Sequence, residues 1–124
     1  MRAFTESFIL ECKGRLLQAK SEILNRARLA KEEFGALDRG GGGDEADQTM
    51  NLIAENDFFM AQQRLKDQLL EIELALSRLE NGSYGFCEET EEPIEIERLR
   101  ALPWTRLSIE GAEMRDDQRR RFAK

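Results

Sequence analysis

Four consecutive glycines, Gly40 to Gly43, divide two long stretches of helical periodicity, and that interruption limits what the chain can fold into. Each glycine costs a helix about 1 kcal/mol relative to alanine, so the chain has to turn there. Before the turn, apolar or small residues recur at Ile9, Cys12, Leu16, Ala19, Ile23, Ala30 and Phe34, with Leu17, Leu24 and Ala27 widening the stripe. After it, Phe58, Ala61, Leu65, Gln68, Ile72, Ala75 and Leu79 follow a 3-4 spacing that ends at Asn81-Gly82, a helix stop. Two helices and one turn make an antiparallel coiled-coil hairpin. Arms of about 27 and 35 residues, rising ~1.5 Å per residue, give it a reach of roughly 40–50 Å.

Beyond Gly82 the period changes. Tyr84-Gly85-Phe86-Cys87 and Ile94-Glu95-Ile96 are short and alternating, separated by the acidic run Glu88 to Glu92 with Pro93, which predicts a small two-stranded finger. A helical turn or two is expected from Glu97 to Leu102 before Pro103, and a charged helix from Glu110 to Phe122. A two-stranded hairpin alone has too little core, so Phe86, Ile94, Ile96, Leu99, Leu102 and Trp104 are expected to pack together. The fold class is therefore mainly α. Residues 1–81 form the hairpin, with an acidic tip at 38–49, and residues 82–124 form a finger-like globular end with a C-terminal helix.

The finger has the spacing of a four-cysteine zinc ribbon but keeps one cysteine of the set. A closed zinc site wants four thiolate or imidazole ligands in two short pairs. Cys87 is present, while Thr90, Ser108 and Gly111 occupy the other three positions and no histidine exists in the chain. Neither a hydroxyl nor a bare backbone replaces a thiolate, so no zinc is expected. Packing by Trp104 and Phe86 would have to replace the ~10 kcal/mol or more that metal can contribute to folding.

Charge narrows the partners. The net charge is −6, from 19 basic and 25 acidic side chains, with an acidic middle flanked by mildly basic ends. That balance disfavours binding nucleic acid by counterion release and points to a protein partner. No apolar run near 18 residues and no signal sequence stand out, and the two cysteines, Cys12 and Cys87, make no disulfide framework. A cytoplasmic location without membrane association is expected.

The tip Gly43-Asp44-Glu45-Ala46-Asp47-Gln48-Thr49, the run Leu79-Glu80-Asn81-Gly82-Ser83-Tyr84-Gly85-Phe86-Cys87, and the later Glu92-Pro93-Ile94-Glu95-Ile96, Arg98-Leu99 and Ala101-Leu102-Pro103 resemble the DksA/TraR family of bacterial transcription regulators. The similarity covers nearly the whole chain. The resemblance implies a factor that inserts its coiled coil into the secondary channel of RNA polymerase and sets acidic tip residues near the catalytic magnesium, without binding promoter DNA itself. Asp44 and Asp47 match the paired tip acids, Arg64 matches a basic position turned toward polymerase, and Thr49 stands where the family usually has a small alanine. On pattern alone, Asp44 also reads as the N-cap of the second helix, with Asp47 at the capping-box position.

Well-known family members cooperate with guanosine tetraphosphate through basic side chains. The corresponding positions here are Gln68, Glu71, Leu102 and Ala112, none of them a cation. A carboxylate beside a polyphosphate is repulsive, which argues against alarmone dependence. Two readings from other classes remain: a plain coiled-coil interaction or dimerisation module, and a cation site or enzyme built on Asp38, Asp44, Glu45 and Asp47. The second lacks a nucleophile, a histidine base and a phosphate-cradling motif.

Overall fold

A computed structural model describes residues 3–39 and 45–123. Four helices follow in order: α1 (Glu6–Arg39), α2 (Glu45–Asn81), α3 (Ile96–Ala101) and α4 (Ile109–Phe122). The mainly helical architecture is the one the periodicity predicts, and α2, α3 and α4 end within a residue or so of their expected limits. The glycine run and Asp44 lie outside the described residues, as do the side chains of Asp38 and Glu45.

Local chemistry sets the boundaries. Thr5 begins α1 by accepting the Phe8 amide on its side-chain hydroxyl at 3.1 Å. At the end of α2, Gly82 turns left-handed (φ 81°) and the Ser83 amide returns to the Arg78 carbonyl at 3.0 Å, the longer of the two bonds of a Schellman motif. Ser108 caps α4 by accepting the Gly111 amide at 3.0 Å, and the Glu95 carboxylate accepts the Ile109 amide at 3.1 Å. Acidic Glu110 in the first turn and Arg119, Arg120 and Arg121 in the last complement the α4 dipole.

The chain divides into two compact units. One comprises residues 19–70, the facing parts of α1 and α2. There the Phe34 and Phe58 rings stack at 4.4 Å with an interplanar angle of 7°, and Gln62 Nε2 donates to the Ala27 carbonyl at 3.3 Å. Ala61 and Leu65 are half-buried as the heptad requires. Gln68, placed in the seam by spacing, is exposed, and Leu69 takes the half-buried place beside it. Leu17, on α1 outside this unit, and Leu24, within it, do not widen the buried stripe; they are 47% and 48% exposed.

The other unit comprises residues 1–18 and 71–124 and holds most of the core. Cys12 and Leu16 from α1, Ile72 and Ala75 from α2, and Tyr84, Cys87, Ile94 and Leu99 are all buried there. The expected two-stranded finger is reduced to one antiparallel bridge between Phe86 and Pro93, and no strand occurs among the described residues. With so little ladder there is no sheet face to cover. Ile94 and Leu99 reach the core, but Phe86, Ile96 and Leu102 stay exposed and Trp104 is only half-buried. Tyr84 fills the space instead. Its hydroxyl donates to the Pro103 carbonyl at 2.7 Å and shares a hydrogen bond with the Cys12 thiol, so the buried polar atom is satisfied.

Candidate functional site

The four positions with zinc-ribbon spacing do come together. The loop closed by the Phe86–Pro93 bridge carries Cys87 and Thr90, and the start of α4 carries Ser108 and Gly111. The Cys87 amide donates to the Glu92 carbonyl at 2.8 Å, and its own carbonyl accepts the Glu91 amide at 2.9 Å, closing the tight turn. Cys87 and Ser108 are 2% and 5% exposed, and Thr90 is half-buried.

Donors converge on the sulfur. Burial raises the pKa of the Cys87 thiol, but hydrogen bonds from the side chains and backbone amides of Ser108 and Thr90 outweigh it and lower the pKa to about 6. Gly111 closes the nest from the helix side. A β-carbon there would collide with Cys87 Sγ. One thiol, two hydroxyls and a glycine do not make a zinc site, and no group of three or more His, Cys, Asp or Glu side chains suited to a metal occurs among the described residues.

An alternating chain of charges borders this nest. Arg106 makes a two-pronged pair with Glu71, Nε to Oε2 at 3.1 Å and Nη2 to Oε1 at 2.7 Å. It also lies 4.0 Å from Glu88; Arg115 lies 3.5 Å from Glu88 and donates to Glu89 at 2.7 Å. The Glu89 and Glu88 carboxylates in turn raise the Arg115 pKa. Arg78, its pKa lowered chiefly by burial, donates to the Trp104 carbonyl at 3.2 Å. α2, the finger loop and α4 are thereby tied by ion pairs that link several partners each, a geometry worth more than isolated surface pairs.

The remaining predicted positions fall elsewhere. Asp47 and Thr49 are exposed in the first two turns of α2, while Asp44 lies outside the described residues. Arg64 is exposed further along α2. Of the positions matched to the alarmone contacts, Gln68 and Leu102 are exposed, Ala112 is half-buried, and the Glu71 carboxylate is engaged by Arg106. The roles of Arg106, Arg115 and Tyr84 were not legible in the sequence. A regular period signals helices, whereas Arg106 and Tyr84 lie in loops and Arg115, on α4, acts on the loop residues Glu88 and Glu89.

Residues 82–113 match the family model described as the prokaryotic dksA/traR C4-type zinc finger. The chain is 36% identical over 114 residues to the RNA polymerase-binding transcription factor DksA of Caulobacter vibrioides, an alignment covering 87% of this chain and 75% of that protein. It is also 36% identical over 91 residues to general stress protein 16O of Bacillus subtilis, covering 69% of this chain and 53% of that one. Among solved structures, transcription factor DksA2 from Pseudomonas aeruginosa superposes with a TM-score of 0.84 at 32% identity, covering 93% of this chain and 88% of the other. The structure of an RNA polymerase-binding regulator from Chlamydia trachomatis shares the fold with a TM-score of 0.53 at 20% identity. Helix order, finger spacing and near full-length similarity agree, and the chain belongs to the DksA/TraR family.

Proposed function

We propose that the chain is a bacterial transcription regulator that binds RNA polymerase and carries its acidic tip, Asp44 and Asp47, into the enzyme's secondary channel. The observation that carries this reading is the 36% identity, across 87% of the chain, to a factor named for polymerase binding. Asp47 lies exposed at the start of a long helix, which suits a carboxylate that acts by its charge on a partner's active-site groups. Thr49 and Arg64, exposed on the same helix, complete the proposed contact set. In this reading residues 1–81 deliver the tip and residues 82–124 form the metal-free finger and C-terminal helix. The protein is a regulator rather than an enzyme, binds no DNA directly and works in the cytoplasm.

The finger functions without zinc and the regulator without guanosine tetraphosphate. The Cys87 nest supports the first statement, and the Glu71–Arg106 pair supports the second, since it holds a carboxylate where the family has cations. Purified protein is expected to bind polymerase and compete with other secondary-channel factors. The double variant Asp44→Asn, Asp47→Asn is expected to keep binding and lose the transcriptional effect in vitro, with or without the alarmone. A double variant that regulates as well as the parent removes the tip assignment.

A further inference from the structure

α2 carries a second apolar stripe that the fold leaves uncovered. Leu52, Ile53, Phe59 and Met60 are 66%, 53%, 58% and 48% exposed. At ~100° per residue they lie on the side of the helix away from Phe58, Ala61 and Leu65, which form the half-buried seam. Four large apolar side chains within about two and a half turns are more than scattered surface hydrophobicity. Asn56, Gln63 and Asp67 interrupt the stripe, which suits a weak and reversible contact.

The charges on its two edges say what fits. Asp57 and Arg64 are one heptad apart and share one edge; Glu55 and Lys66, about three turns apart, share the other. All four are exposed, and none makes an ion pair among the described residues. On both edges the acid is N-terminal and the base C-terminal, and both pairs are centred on one point, between Met60 and Ala61. In an antiparallel helix pair related by a two-fold axis, like edges face each other. An axis through that point sets Asp57 against Arg64 of a second copy and Glu55 against Lys66, each contact occurring twice, with Phe59 and Met60 meeting at the centre.

We propose that this face of α2 is a self-association surface, on which a second copy of the chain docks antiparallel in a weak dimer. The proposal uses α2 alone and does not depend on the polymerase reading. It has a consequence for that reading: the dimer covers Arg64, so self-association and polymerase binding compete for one helix face. The wide exposure of these side chains makes them safe to change without unfolding the chain.

The test is sedimentation equilibrium of the full chain over a concentration series, with circular dichroism to verify folding of each variant. The parent mass is expected to rise from 14.3 kDa toward twice that value as concentration increases. Asp57→Arg and Arg64→Asp, each placing like charges opposite one another twice, are expected to weaken association at least tenfold. The double variant carrying both should restore it, because the exchange recreates the complementary edge. Phe59→Ser is expected to weaken it as well. A parent that stays monomeric, single reversals that associate like the parent, or a double variant that fails to recover would each overturn the proposal. So would a monomeric parent whose Phe59→Ser variant instead loses polymerase binding, which would assign the face to polymerase.

Discussion

Gly111 packs so tightly against Cys87 that no β-carbon fits between the first turn of α4 and the sulfur. The neighbour is the buried thiol of a short side chain rather than the free end of a flexible one. Gly111→Ala is therefore expected to destabilise the finger-bearing unit by about 1–3 kcal/mol, the usual cost of overpacking, although alanine is the better helix former. Urea unfolding of the two proteins measures the difference, and an unchanged midpoint would contradict the packing.

Cys87 also predicts a pH dependence. Its folded pKa, about 6, is depressed from an ordinary value of 9.0, so the thiolate contributes stability that is complete above about pH 9 and gone once pH falls below about 6. Cys12 acts the opposite way, since burial first among its causes raises its pKa, but its effect falls above pH 9. Between pH 8.5 and 6 the parent is expected to lose up to ~1.4 kcal/mol per pH unit relative to Cys87→Ala. Parallel denaturant titrations across that interval give the comparison; parallel curves for the two proteins would refute it.

Tyr84→Phe removes the hydroxyl that satisfies the buried Pro103 carbonyl and the Cys12 thiol. An acceptor left unpaired in the core costs about 1–3 kcal/mol, so the substitution is expected to lower stability by that amount despite its conservative shape. Thermal unfolding followed by calorimetry provides the measurement.

Chelation tests the proposal that the finger holds no metal. Incubation with a strong zinc chelator is expected to leave the melting temperature unchanged, and elemental analysis to find less than stoichiometric zinc. A large drop in melting temperature on chelation would mean that a metal holds the finger after all.

The sequence was most readable where a period repeats. The 3-4 spacing from Phe58 to Leu79 and the stop at Asn81-Gly82 located α2, and the charged run from Glu110 to Phe122 located α4. Reading failed where alternation stood in for contact. Phe86 and Ile96 alternate like strand residues, yet a single bridge leaves both exposed, and the core was given to Tyr84 through a hydrogen bond to a carbonyl far along the chain. Four positions of the finger could be paired by spacing alone, because ligand geometry fixes their separations. The arginines that surround them could not, since Arg106 and Arg115 meet Glu71, Glu88 and Glu89 only after three separate segments fold together.

The alternating series from Glu71 through Arg106, Glu88 and Arg115 to Glu89 gives this finger a sensitivity to dissolved salt. Mobile ions screen such contacts, whereas thiolate–zinc bonds barely feel them. If the finger holds no metal, as proposed above, raised ionic strength rather than metal withdrawal is what loosens this knuckle.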